Sequence, residues 1–317
     1  MTATTSETGT PVLPLILAEV EVRRVERLTP AFVRIELGAD ALADFGVDGP
    51  LYDQRIKLLF PGPHGLPDLN DPALQGPGWW QAWQAMPEET RGCVRTYTIR
   101  DVVGTGTDTR IVVDFVLHLA EGATGPGSLW AAEAKIGDRI GLLAPRKGFP
   151  YGGIEFAPGV AQRLLLVGDE TAVPAVASIL EDLPDDAAGK VYLEVPSDGD
   201  VLDLRVPAGV QLAWLPRNGA RHGERACKAV LALFNLQYDA DEQVEVIDPD
   251  LWETPTYSSS GEEIEPGSEP AGGLYAWVAG EAAMVTRLRR HLVRDAGLDR
   301  KQVAFMGYWR IGVAMKS

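Results

Sequence analysis

The 317-residue sequence predicts two domains: an N-terminal antiparallel six-stranded β-barrel and a C-terminal Rossmann-like α/β domain on a parallel sheet. Three observations predict this. The first half reads as short β-rich runs punctuated by Gly, Pro and Asp. From Arg163 the rhythm becomes strand, turn, helix. The length, with 45% hydrophobic residues, suffices for two ordinary cores.

Residues 1–12 are rich in Thr, Ser and Gly and read as a disordered leader. The barrel is expected over 13–150, with candidate strands at 17–28, 32–37, 54–60, 94–103, 110–119 and 138–145. Between the third and fourth runs, a Pro/Gly-rich stretch with three tryptophans reads as a covering excursion. GSLWAAEA (127–134) reads as one short helix. The α/β domain is expected over 160–317, with strands RLLLVG, KVYLEV, VQLAWL, LYAWVAG and QVAFMGYWR. Helices are expected near 172–183 and 223–234 and after Gly280. An acidic, Ser/Gly/Pro-rich stretch at about 237–273 reads as a surface insertion.

The formal charge of −16 disfavours phosphate backbones, and no concentrated basic patch offsets it, so a nucleic-acid partner is not expected. The apolar run 12–18 is interrupted by Pro14, and no segment approaches the roughly 20 apolar residues of a membrane span. Two distant cysteines and four histidines give neither a disulfide framework nor a metal-ligand spacing, so no metal is expected. A cytoplasmic location fits this composition.

In Arg95-Thr96-Tyr97-Thr98-Ile99-Arg100, strand alternation puts Arg95 and Tyr97 on one face. The guanidinium there can pair with a pyrophosphate, the phenol can lie against a planar heterocycle, and Thr98 can offer a hydroxyl. An exposed strand with solvated arginines has the same pattern. Downstream, Gly125-Pro126-Gly127-Ser128 opens a short helix whose backbone N–H groups and Ser128 hydroxyl suit an anion, although an ordinary helix start has the same form.

In the second domain, Gly168-Asp169-Glu170-Thr171-Ala172 joins a strand to a helix where a dinucleotide would sit. It departs from the Gly-x-Gly-x-x-Gly fingerprint. Backbone nitrogens and Thr171 would then grip phosphate while the acids cap the helix. Glu194 could take ribose hydroxyls, favouring NADH, and Arg217 could equally support a 2′-phosphate.

RTYTIR, DFVLH, GPGSLWA, LLLVGDETAVPA, WVAGE and GYWRIG, in that order, resemble the siderophore-interacting proteins, relatives of the ferredoxin reductase superfamily. The resemblance runs from about residue 17 to the C-terminus and is weakest at the acidic insertion. It implies an FAD-binding barrel followed by an NAD(P)H-binding domain, with electrons passing from NADH or NADPH through flavin to a ferric siderophore. Fe(III) would leave as Fe(II), with no acid, base or nucleophile required. By this resemblance Tyr97 lies against the isoalloxazine, Arg95 lies on the phosphates, and Thr98, His118, Gly125, Gly127, Ser128 and Trp130 complete the FAD site. Asp169, Glu170, Thr171 and Ala172 form the first nicotinamide-side turn, and Gly280 with Glu281 the second. Lys57 and Arg310 match residues associated with the anionic ferric siderophore. The family usually has His where this chain has Arg55, a departure on the substrate side. Two alternatives remain. One is a related flavin reductase acting with a ferredoxin, a flavodoxin or other ferric compounds. The other is a siderophore-binding protein without catalysis.

Overall fold

The structure, a computed structural model, describes residues 13–118, 125–240, 252–254 and 273–312. The leader 1–12 and most of the 237–273 insertion lie outside the described residues. The chain divides into two compact units, the first ending at Ile154 and the second comprising Glu155–Lys316 with Thr29–Ala31.

The first unit is one antiparallel sheet of seven strands: β1 (Leu15–Arg27), β2 (Phe32–Gly38), β3 (Arg55–Phe60), β4 (Cys93–Thr98), β5 (Asp101–Val103), β6 (Arg110–Val116) and β7 (Arg139–Pro145). Their order is β4-β3-β7-β1-β2-β6-β5. The outermost strands, β4 and β5, are separated in sequence by only Ile99 and Arg100. Ile99 N–H donates to Gln54 O (2.9 Å) at the start of β3, and Arg100 N–H donates to Val112 O (2.8 Å) in β6. Consecutive residues thus bond opposite ends of the sheet, which can happen only if the sheet curls on itself.

This curl corrects the expected six-stranded barrel. The run 94–103 does not stay with one partner; it changes partner at Ile99–Arg100, and the sheet becomes a seven-stranded half-barrel. Alternation along the strands builds two cores. Ile16, Leu58, Phe60 and Leu142 join the inner cluster with Ile35, Val113 and Phe115. Their neighbours Leu17, Leu59 and Leu143 face outward onto Leu69, Leu74 and Trp83 of the excursion, which carries helices α1 (Trp79–Ala85) and α2 (Glu88–Arg91). Helix α3 (Pro126–Glu133) lies between β6 and β7 in sequence.

The second unit contains β8 (Arg163–Gly168), α4 (Val173–Asp182), β9 (Ala188–Val195), β10 (Gly209–Pro216), α5 (Glu224–Leu233), β11 (Trp252–Glu253), β12 (Leu274–Glu281), α6 (Ala282–Arg290) and β13 (Val303–Trp309). The strand order is β10-β9-β8-β12-β13-β11. The first five run parallel, and β11 pairs antiparallel with β13, so the sheet is mixed where a parallel one was expected. The added strand comes from the acidic insertion. Trp252 stacks on Tyr308 with ring centroids 6.0 Å apart, and Glu253 holds Arg289 of α6 through two bonds of 2.6 and 2.8 Å. Leu165, Val167, Ala276, Val278 and Phe305 pack with Val230 of α5 and Leu288 of α6. The order reverses between β8 and β12, and the carboxyl ends of strands flanking such a switch form the ligand crevice of open α/β sheets.

Candidate functional site

In the first unit, β4 carries Tyr97 opposite Ile56 and Arg95 opposite Leu58, residues of the inner core. Tyr97 lies 4.6 Å from Phe115 and 6.0 Å from Phe60, centroid to centroid. Trp130, from α3, packs on the same two rings at 5.7 and 5.8 Å. An aromatic cluster therefore fixes α3 against β3, β4 and β6. Burial holds the Tyr97 phenol well above its ordinary pKa, with the Arg95 charge opposing, so it stays protonated.

Gly127 is dictated by this contact, because a Cβ there would fall on the Tyr97 hydroxyl. The N-cap of α3 is Gly125, and among the described residues no side chain caps the helix. Its first-turn N–H groups have no partner within the helix. The Ser128 hydroxyl faces the chain itself, donating to Val116 O (2.9 Å) and accepting from the His118 amide (3.3 Å). It ties the end of β6 to α3. Thr98 is buried, His118 is half-buried, and the Arg95 guanidinium donates to Val94 O at 2.7 Å.

The opposite face of β3 and β4 bears Lys57, whose Nζ lies 3.3 Å from Thr96 Oγ1. Arg55, Ile56, Lys57, Thr96, Tyr151, Gly152 and Gly153 line a concavity of about 200 Å³. The segment 151–153 is clamped onto β3. Gln54 Nε2 donates to Gly152 O (3.0 Å), Arg55 N–H donates to Gly153 O (2.8 Å), and Gly153 has φ +106 with Gln54 beside its missing Cβ. Burial and then the Arg55 charge lower the Lys57 pKa, whereas burial pushes the Tyr151 phenol up to about 12. Two cations and a neutral phenol thus share one recess.

In the second unit, the switch point is filled by charge. Asp169, fully buried, accepts from Thr171 N–H (2.8 Å), Thr171 Oγ1 (2.5 Å), Glu281 N–H (2.7 Å) and Trp309 Nε1 (2.9 Å). Gly280, at φ +140, leaves room for that carboxylate, which a Cβ would meet at 2.7 Å. Glu281 caps α6 through Ala283 and Met284, as a carboxylate at a helix N-terminus should. Glu170 receives the Arg217 guanidinium through two bonds of 2.6 and 2.8 Å. His222 Nε2 lies 3.3 Å from Asp169 and 3.6 Å from Glu170, its ring edge-on to Trp309. Ala172 is buried at the start of α4.

Glu194 closes β9 but turns inward, accepting from Gly223 N–H (2.6 Å) and Ala226 N–H (2.9 Å) at the start of α5. The structure thus brings Asp169, Glu170, Thr171, Glu194, Arg217, Gly280 and Glu281 to one edge of the sheet. It commits the carboxylates and Arg217 to one another and to backbone amides. Arg310 directly follows β13 in this unit, whereas Lys57 belongs to the first.

Family models match both halves: the siderophore-interacting FAD-binding domain over residues 21–149 and the siderophore-interacting protein domain over 161–312. The chain belongs to the siderophore-interacting proteins. An uncharacterised protein of Mycobacterium tuberculosis is 31% identical over 92% of this chain and 89% of its own length. The ferric vibriobactin reductase ViuB of Vibrio cholerae is 29% identical over 95% and 91%. A siderophore utilization protein from T. fusca has a solved structure with TM-score 0.63, 29% identity and 96% coverage of both chains. A ferredoxin reductase of carbazole 1,9a-dioxygenase, 16% identical with a TM-score of 0.53, shares the two-domain fold. The matches support FAD as cofactor, NAD(P)H as donor and an oxidoreductase of iron acquisition.

For a siderophore-interacting protein, the half-buried Tyr97 ring and the start of α3 packed on it fit a flavin dinucleotide: an aromatic ring beside first-turn N–H groups suited to phosphate. Sequence reasoning missed His222 and Tyr151. His222 was detectable in principle, because adjacent buried acids at 169–170 require cations and the run RNGARHGER is a basic stretch in an acidic chain. Tyr151 carries no local signal; only the fold of 151–153 onto β3 brings it to Lys57.

Proposed function

We propose that this chain is a cytoplasmic FAD-dependent reductase that passes electrons from NADH or NADPH to a ferric siderophore, releasing iron as Fe(II). Beyond family membership, the observation that carries this reading is that β3 and β4 bear the Tyr97 ring, packed on Gly127 of α3, on one face and a basic recess on the other. FAD supplies the conversion of a two-electron hydride into single-electron steps. The chain itself binds and orients. Arg95 and the α3 amides hold the pyrophosphate, Tyr97 and Thr98 position the flavin ring, and His118 and Trp130 complete its surroundings. Lys57, with Arg55 beside it, holds the anionic chelate. No side chain needs to move a proton to iron, because Fe(II) is held less tightly by hard oxygen donors and leaves on reduction. The turns at 169–172 and 280–281 receive the nicotinamide donor.

A second reading, in which a ferredoxin supplies the electrons or the chain only binds siderophore, is favoured by the carboxylates filling the switch point. Anaerobic spectroscopy separates the readings. Bleaching of bound flavin by NADH or NADPH, followed by reoxidation with a ferric siderophore, is the expected result. Flavin that no nicotinamide bleaches favours the second reading, and a protein that cannot take up FAD contradicts both flavin-dependent versions.

A further inference from the structure

In the proposed reading, the donor's adenosine ribose falls near the end of β9, where an acid reads a 2′-hydroxyl or a nearby arginine a 2′-phosphate. The structure removes the two obvious candidates. Glu194 is fully buried with its oxygens on Gly223 and Ala226, and Arg217 is bound through both Nη atoms to Glu170. Both build the turn that follows β10. Arg217 N–H donates to Val195 O (2.8 Å) at the end of β9, Asn218 and Gly219 take positive φ, and Glu194 pins Gly223.

That turn displays Arg221, and the first turn of α5 displays Arg225, both exposed. Their hydrogen bonds run to backbone carbonyls: Arg221 to Ala240 O at 3.4 Å and Arg225 to Arg217 O at 3.3 Å. Glu224, the acid between them, is engaged by Lys228 at 2.5 Å. Among the described residues no carboxylate forms an ion pair within 4.0 Å of either arginine, although Lys228 and, after it, Arg221 are close enough to lower the Glu224 pKa, in a chain with net charge −16. Two exposed guanidinium groups four residues apart, one on the turn and one at the start of α5, suit a dianionic phosphate, which arginine binds in bidentate fashion.

We propose that Arg221 and Arg225 read the 2′-phosphate of the donor, making this chain selective for NADPH, while Glu194 and Arg217 only position the turn. The inference rests on the nicotinamide reading above but is tested apart from electron transfer. The full FAD-loaded protein is titrated calorimetrically with 2′,5′-ADP and with 5′-ADP, and the titrations are repeated with R221A/R225A. Each arginine–phosphate contact should be worth roughly tenfold in affinity, so 2′,5′-ADP should bind roughly a hundredfold more tightly and the variant should lose that advantage. Because both side chains are exposed, the variant's melting temperature should match wild type. Equal binding of the two analogues to wild type, a preference surviving in R221A/R225A, or binding of neither analogue overturns the proposal. Bleaching of flavin by nicotinamide in the same preparation shows whether the wider reading survives. A preference lost in R217Q but kept in R221A/R225A returns the role to Arg217.

Discussion

Single residues set the two sites by exclusion as much as by contact. At Gly127 the missing Cβ lets α3 reach the Tyr97 hydroxyl, so G127A should purify with less flavin and a lower flavin affinity, read from the ratio of visible to ultraviolet absorbance. At the sheet edge, Glu170 and Arg217 form a buried pair, and removing one partner strands the other's charge. R217M should destabilise the protein by about 3–5 kcal/mol in urea unfolding, and E170Q/R217M should recover much of the loss. His222 tests the same network through pH. Burial alone would lower its pKa, but the adjacent Asp169 and Glu170 raise it from 6.5 to about 10. The folded state therefore holds a proton that the unfolded chain releases earlier. The stabilisation is complete below pH 6.5 and declines as pH rises toward 10. Wild type should lose stability over that window more steeply than H222Q; parallel profiles would mean that His222 is not the buried cation.

Single elements show where local pattern and global fold part company. The strands of both sheets were largely legible in their apolar runs, and RTYTIR was legible as a strand with Arg95 and Tyr97 on one face. What local pattern could not reveal is that Ile99 and Arg100 take hydrogen-bond partners at opposite ends of the sheet, which splits one apparent strand into β4 and β5. The acidic composition of 237–273 likewise hid β11, whose two residues are held by Trp252–Tyr308 stacking and the Glu253–Arg289 pair. Glu253→Gln should cost about 1 kcal/mol, as expected for a partly exposed bidentate pair, and should speed amide hydrogen exchange at Trp252 and Met306. Unchanged exchange would show that the stacking alone holds the strand. The roles expected for Ser128 and Glu194 also turned on context. Both residues sit where the motifs put them, but their oxygens satisfy backbone amides and carbonyls, an obligation that no motif displays.

For the whole molecule, the family, the flavin domain and the order of the two domains could be read from the ordered motifs, because each combines a strand end with a turn that few other folds place in that sequence. The recess with Arg55, Lys57 and Tyr151 could not, because it is assembled from segments about a hundred residues apart. The central claim is that electrons leaving the flavin reach siderophore-bound iron. Its most direct test is anaerobic turnover of the FAD-loaded protein with NADPH or NADH, a ferric siderophore and a colorimetric Fe(II) chelator. The account predicts chelated Fe(II) at two per nicotinamide oxidised, since each hydride carries two electrons and each iron takes one, with a lower rate in K57A. Nicotinamide oxidation without Fe(II), or flavin reoxidised by ferredoxin or flavodoxin but not by any ferric siderophore, would contradict it.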